Sequence, residues 1–323
     1  MRHFDLQLFA TGDNNNQGIR YYGKQFAGIV QAVFQAQAHF RDFFAGDLET
    51  LDGVSEAATA FSVKTTDVAS ALTTGTVSSA GAYTNGYNTG ANVGMGTGTG
   101  STSRFGNRTE VIYANTDVPY SFNWTFHEGL DRHTVNNDFE AAIADRLDLQ
   151  AQAKIAMLNA QHGAYISSIA GKVISKVSID ATSVAAVFNE LSAYFVNAGA
   201  VGTKVAAVNP DIYNAIIDSG LATTAKGSTV NIDRETVEMY KGFVIEQIPA
   251  SDFAETTVSS NTYDDCIYAY VQHIGKAFLG INTARTIESE DFDGVALQGA
   301  GKGGQWCPND NKAAVAKVYC TGA

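Results

Sequence analysis

The chain has 323 residues, 45% of them hydrophobic and only 17% charged, with a net charge of −12. The apolar fraction supports a folded core, and the length allows one large domain or two ordinary ones. None of the 21 basic residues is adjacent to another; no basic run can track a phosphate backbone, which argues against tight nucleic-acid binding. No stretch reaches the roughly 18 apolar residues of a membrane-spanning helix. The opening MRHFDLQLFA has too short an apolar run for a secretory signal and is interrupted by Asp5. The expectation is a chain made in the cytoplasm, with a low-charge surface suited to burial against copies of itself.

Residues 1–20 read as an extended arm, since TGDNNNQG (11–18) has nothing to pack. From Tyr21 to Ala45 apolar residues recur at helical spacing: Tyr22, Phe26, Ile29, Val30, Val33, Phe34, Phe40, Phe43 and Phe44 fall close to one face, and Gly46 follows as a stop. That aromatic face serves either the chain's own core or a neighbouring subunit. AFSVKTTDV (60–68) is strand-like, and 104–126 holds two more strand-like pieces. Between them, Val68–Ser103 is 36 residues without a charge, and nine of the 31 glycines lie between Gly75 and Gly106. So long a structureless loop is uncommon inside a compact domain. A long hairpin or arm resting on another surface accounts for it, with glycine giving its tip the freedom to conform.

The clearest helix runs from Asn137 to Ala170. Asn137 is the N-cap with Glu140 three residues on. Phe139, Ile143, Leu147, Ala151, Ile155, Leu158, His162, Ile166 and Ile169 form its stripe, and Gly163 is a place where it would break or bend. Beyond it the elements alternate: a helix over 184–196, a strand over 204–209, a short helix capped by Asn209 with Pro210 in its first turn, and a strand over 242–248. The strands CIYAYVQHI (266–274) and KAFLGI (276–281) make a hairpin turning near Gly275, and a last strand spans 313–319. The class is mixed α+β.

No catalytic motif emerges. The G-x-G-x-G-x-G of 94–100 lacks the spacing, the lysine and the following helix of a nucleotide loop, and GAGKGG (299–304) has Gly303 where a magnesium-holding hydroxyl belongs. HEGLDRH (127–133) carries His127, Glu128 and His133, but the second histidine comes two residues too late for a zinc-protease helix. Neither a metal nor a cofactor is expected. Cys266, Cys307 and Cys320 form an odd set without a C-x-x-C; small buried or unpaired thiols are the expectation, and a pairing of Cys307 with Cys320 in an oxidising medium is left open.

The order of elements (flexible N-terminal arm, glycine-rich hairpin, long helix, α/β region) resembles the major capsid proteins of tailed bacteriophages with the Hong Kong 97 fold. FDLQLFA (4–10) resembles the opening of structural proteins of phages infecting Gram-positive bacteria, and the block from Ser103 to Lys154 is similar to siphophage capsid proteins of lactic-acid bacteria. The resemblance implies an α+β Hong Kong 97-like capsid fold with residues 1–45 as N-terminal arm and arm helix and 46–130 as extended-loop hairpin with flanking strands. It further implies 131–179 as peripheral domain with its spine helix, 180–275 as an α/β axial domain, and 276–323 as return strands. It implies no enzyme but a virion subunit, assembled in the bacterial host cytoplasm. The partners implied are copies of itself in pentamers and hexamers, a separate scaffolding protein, a portal protein and packaged DNA by proximity only, with no membrane. Candidate subunit contacts are Tyr22, Phe26, Phe34 and Phe40 on the arm, and Arg104, Arg108 and Glu110 at the base of the hairpin. Some members cross-link through a loop lysine; no lysine lies between Thr65 and Ala153, so no such bond is expected from this loop. The competing expectations are a tail-tube or decoration protein, or a metal-dependent hydrolase using His127, Glu128 and His133.

Overall fold

The computed structural model describes residues 37–46, 49–50, 59–65, 76–77, 83–84, 113–134, 139–219, 229–231 and 236–322. The chain divides into two compact units, Ala57–Pro119 and the remainder. In chain order the strands begin with β1 (Glu49–Thr50), which belongs to the larger unit.

The smaller unit holds β2 (Thr59–Thr65), β3 (Thr76–Val77), β4 (Tyr83–Thr84) and β5 (Ala114–Pro119). β2 pairs antiparallel with β5, from Thr59 opposite Pro119 to Thr65 opposite Ala114, and β3 pairs with β4. Ser62 donates to the Asp117 carboxylate, and the Thr65 and Thr116 hydroxyls meet across the ladder. These are cross-strand polar pairs of the kind that stabilise a hairpin whose side chains face water.

Among the described residues the larger unit has two sheets and three α-helices. β6 (Phe122–Asp131), helix α1 (Phe139–Ile169) and β7 (Lys172–Lys176) come first. Helix α2 (Val184–Asn197), β8 (Lys204–Val208) and helix α3 (Pro210–Asp218) follow. Then come β9 (Thr229–Asn231), β10 (Thr236–Tyr240), β11 (Phe243–Gln247), β12 (Glu255–Val258) and β13 (Asn261–Val271). The chain finishes with β14 (Lys276–Glu288), β15 (Gly294–Trp306) and β16 (Val315–Cys320). The larger sheet has the order β7-β16-β13-β8-β11-β10-β9, with β12 on β13, and the four-stranded sheet has the order β1-β14-β15-β6.

Strands β8 and β13 lie in the middle of the larger sheet and are covered on both faces, which is why they read as continuous apolar runs and not as alternating ones. Ala206, Val208, Ile267 and Ala269 face one cluster, with Val187, Phe188, Leu191 and Phe195 of α2 and Ile212 and Ile216 of α3. Val205, Ala207, Tyr268 and Tyr270 face the other, with Ile166 of α1 and three aromatics from the chain's beginning, Phe40, Phe43 and Phe44. Asn209 caps α3 by accepting from Ile212 N at 2.9 Å, with Pro210 in the first turn, as the sequence predicts.

Helix α1 is one unbroken helix of 31 residues, about 46 Å long at 1.5 Å per residue. Gly163 does not break it. A Cβ there would stand 2.0 Å from the Asp252 carbonyl oxygen, so the glycine lets the helix press against the 3-10 turn Ala250–Asp252. The expected cap Asn137 lies outside the described residues, as do residues 1–20 of the expected extended arm and 21–36 of the expected arm helix.

Within the described part the helix expected to continue to Ala45 does not exist. Phe40 sits at φ 60°, a left-handed conformation, and is followed by the single 3-10 turn Arg41–Phe43. The aromatic spacing that mimics a helix face instead places Phe40, Phe43 and Phe44 into one core around Tyr268 and Tyr270; Phe43 meets Tyr270 edge to face at 5.3 Å.

The β15 segment, whose residue pattern carries no strand signal of its own, pairs with β6 along its length. Gly299, Gly301 and Gly303 lie directly opposite Phe126, Trp124 and Phe122, and their missing side chains are replaced by those rings. The glycine-rich run that superficially resembles a phosphate loop is thus a groove filled by aromatics.

Candidate assembly site

The segment 37–45 is fixed to α1 and to the β13–β14 turn by a set of directed contacts. Asn159, buried on α1, donates through Nδ2 to the Gln37 carbonyl at 2.7 Å and accepts from His39 N at 2.9 Å. A side-chain amide that satisfies both a donor and an acceptor of one extended segment substitutes for a strand partner there. Three residues on, the β13–β14 turn closes over the segment. His273 N donates to Asp42 O at 2.8 Å, Ile274 N to Phe43 O at 3.1 Å, and Ala45 N to Gly275 O at 2.7 Å. His273 takes φ 60° to make this turn, and Phe43 packs so closely on Gly275 that a Cβ would fall 2.5 Å from its ring.

Electrostatics concentrate at the same segment. His39 stands between two carboxylates, its Nδ1 3.9 Å from Glu246 Oε1 and its Nε2 3.8 Å from Asp252 Oδ2. Burial, with the Asp42 charge nearby, pushes the Glu246 carboxyl up to about 7. Burial also raises Asp252, against the pull of His39. His162, 8% exposed on α1, is driven down to about 4 by burial; its Nδ1 is 3.1 Å from Gln305 Nε2, and Gln305 in turn accepts from Ser121 Oγ at 2.9 Å. A cleft of about 670 Å³ opens beside these groups, lined by His39, Asp42, Phe44, Ile155, His162 and His273, among others.

Helix α1 joins the two sheets of the larger unit. Its first half is held on β6: Arg146 donates from Nη2 to Glu128 Oε1 at 2.9 Å, Gln150 donates to the same carboxylate, and Lys154 Nζ lies 4.7 Å from the centre of the Trp124 ring. Its second half is held on the larger sheet. There Ser167 donates to Asp265 Oδ2 at 2.6 Å, Tyr268 donates to the same oxygen at 2.9 Å, and Lys317 donates to Ser167 and Thr256, each at 2.9 Å. Asp265 is 2% exposed, and these donors compensate its desolvation.

The histidine–acid motif resolves into separate contacts. Glu128 points to α1, while His127, its neighbour on the strand, meets Gln298 at 3.2 Å from the other face. His133 is exposed, 3.9 Å from Asp293. The three side chains do not converge on one point, and no group of three or more His, Cys, Asp or Glu among the described residues is placed to hold a metal ion.

Of the sequence-predicted contact residues, Phe40 is fully buried within its own subunit, against Phe253 and Tyr268. Tyr22, Phe26, Phe34, Arg104, Arg108 and Glu110 lie outside the described residues. Sequence reasoning did not single out a group of apolar side chains that the fold leaves in water. Val173 and Val177 lie on and just after edge strand β7, Val196 near the end of α2, and Val201 in the following turn. Val201 is 90% exposed and Val177 74%. Of these, Val173 and Val177 belong to the edge of the sheet, where exposed apolar side chains suit burial by another chain.

No protein-family model matches the sequence, and no curated protein sequence matches it. Solved structures do match. A chain of the mature capsid of bacteriophage PhiM1 is similar over 91% of this chain and 90% of its own, at 11% identity and a TM-score of 0.63. The capsid of cyanophage P-SCSP1u is similar over 92% of both chains at 11% identity and a TM-score of 0.57. A chain from Microbacterium phage Oxtober96 is similar over 90% of this chain and 92% of its own, at 12% identity and a TM-score of 0.56. Since the likeness runs through almost the whole length of each chain, this chain has the α+β, Hong Kong 97-like fold of phage capsid proteins.

Proposed function

We propose that this chain is the major capsid protein of a tailed bacteriophage, assembling into pentamers and hexamers that close an icosahedral head around double-stranded DNA. The observation that carries the reading is the likeness to the PhiM1 capsid chain over nine-tenths of both chains, 91% and 90%. The exposed Val173 and Val177 at edge strand β7 support it, because a subunit that closes rings must keep apolar surface for its neighbours. The net charge of −12 suits a shell that contains DNA without gripping it.

In this reading the chain is a building block and not an enzyme. The unit Ala57–Pro119 serves as the extended loop, α1 as the spine of a peripheral domain, and the sheet centred on β8 and β13 as the axial domain that meets its copies at the ring centres. Residues before Gln37 reach along a neighbour from the root fixed by Asn159, with Tyr22, Phe26 and Phe34 as its contacts; Arg104, Arg108 and Glu110 serve the base of the loop. Overlapping arms make loss of a subunit require several simultaneous breaks. A scaffolding protein directs curvature, a portal occupies one vertex, and assembly takes place in the host cytoplasm. Electron microscopy of the purified chain, expressed alone and with a scaffolding protein, tests the reading: closed shells or five- and six-membered rings support it, and open tubes assign the chain to a tail.

A further inference from the structure

Cys266 of β13 and Cys320 of β16 have their sulfurs 3.5 Å apart, across two strands that pair antiparallel at the middle of the larger sheet. Their neighbourhood explains the approach. The β13–β16 register slips between Asp265 and Ile267, so Cys266 is the extra residue of a bulge, and Asp265 faces Tyr319 while Ile267 faces Val318. Cys266 is 3% exposed and packs in the cluster beneath α2 and α3; Cys320, at the strand end, is only partly covered and packs against that same cluster. Cys307 belongs to the cluster on the opposite face of the sheet. Cys307 and Cys320, left by the sequence as an open pairing, therefore lie against opposite faces of that sheet.

We propose that Cys266 and Cys320 are an oxidation site that forms an intrachain disulfide when the folded protein meets a low-molecular-weight disulfide. The attacking group is Cys320, the thiol that solvent can reach. Its thiolate attacks one sulfur of the small disulfide; that S–S bond breaks, and one small thiolate leaves and takes up a proton. Cys266, freed of its proton, then attacks the Cys320 sulfur of the mixed disulfide and expels the second small thiolate. Two protein thiols are oxidised by two electrons, and one small disulfide is reduced to two thiols. The electrostatics favour this order. The Cys266 S–H has a buried acceptor in the Val318 carbonyl at 3.3 Å, and the contact between the two sulfurs lowers the Cys320 thiol while it and burial raise Cys266. The bond links residues 54 positions apart and ties the last strand of the chain to the centre of the sheet. Closing a loop of that size restricts the unfolded chain and so stabilises the fold. The inference rests on the thiol geometry and stands apart from the shell reading.

The test uses the full wild-type chain in its assembled or soluble form. It is treated with millimolar oxidised glutathione under native conditions, then unfolded, alkylated and mapped by peptide mass spectrometry. The expected result is a Cys266–Cys320 linked peptide with Cys307 alkylated, and a melting temperature several degrees above that of the dithiothreitol-treated protein. In Cys266→Ser the resolving thiol is gone, and the expected product is glutathione retained on Cys320. Alkylation of both Cys266 and Cys320 in the treated wild-type protein, or a link from Cys320 to Cys307, overturns the proposal.

Discussion

Gly301 stands directly opposite Trp124 in the β6–β15 pair, and a Cβ on it would fall 2.1 Å from Trp124 Cζ2. On the helix side the same indole receives Lys154 Nζ at 4.7 Å. The ring is thus clamped between a strand with no side chain and a helix with a long cationic one. Gly299 and Phe126 repeat the arrangement one step along, with a Cβ again 2.1 Å from the ring. Replacing Gly301 with Val must push the indole off the sheet and α1 with it. The expected cost is about 2–3 kcal/mol from overpacking, read as a lower denaturant midpoint and a shift in Trp fluorescence. Gly46→Ala, where nothing lies within 4 Å, is the contrasting variant; its φ of 78° limits the expected cost to about 1 kcal/mol.

Gly163→Ala tests how α1 meets the larger sheet. Elsewhere in a helix the change would stabilise. Here the new methyl would meet the Asp252 carbonyl oxygen, a backbone atom that cannot swing aside. We expect destabilisation by at least about 2 kcal/mol, measured by urea unfolding; a stabilised variant would contradict the close approach.

Asn159→Ala removes both hydrogen bonds that hold Gln37 and His39. About 1–3 kcal/mol of local stability should be lost. The effect should be concentrated at the arm, with faster amide exchange at His39 and earlier proteolysis there, while amides of β8 and β13 keep their protection.

The half-buried Glu246 and the buried His162 bias stability with pH in opposite senses. The folded state raises Glu246 to about 7, above its ordinary 4.5, so between those values it binds more protons than the unfolded chain and stability falls as pH rises. The folded state lowers His162 from 6.5 to about 4, so between those values it binds fewer protons and stability rises with pH. Glu246→Gln should therefore gain most over wild type above pH 7 and little below pH 4.5, by about 1–2 kcal/mol at most, given its partial exposure. Thermal melts across pH 4–8 would show the two slopes separate in the single variants Glu246→Gln and His162→Gln.

What the sequence reveals depends on where each element gets its stability. Helices α1, α2 and α3 carry their own signals, in the stripe from Phe139 to Ile169 and in the Asn209–Pro210 start, and they lie within a few residues of the expected bounds. β8 and β13 are visible as apolar runs because both faces are buried. β15 was invisible: Gly299, Gly301 and Gly303 have no side chains to announce a strand, and what fills their places comes from β6, some 180 residues away. The stretch Phe40–Phe44 was misread because three aromatics at helical spacing fit a helix face and an irregular plug equally well; only the partners Tyr268, Tyr270 and Gly275 decide between them. The side chains of the His127–Glu128–His133 motif do not converge because a strand sends adjacent side chains to opposite faces, with Glu128 on α1 and His127 on Gln298. The edge valines gave no pattern in sequence, since their exposure depends on β7 being the outer strand.

The central claim is that copies of this chain close a shell, and electron microscopy of the assembled product tests it most directly. The chain is expressed with a scaffolding protein and imaged beside a variant lacking residues 75–103. The account predicts closed icosahedral particles, or rings of five and six, from the intact chain and their loss in the variant. A monomer under every assembly condition, or open tubes, would contradict it.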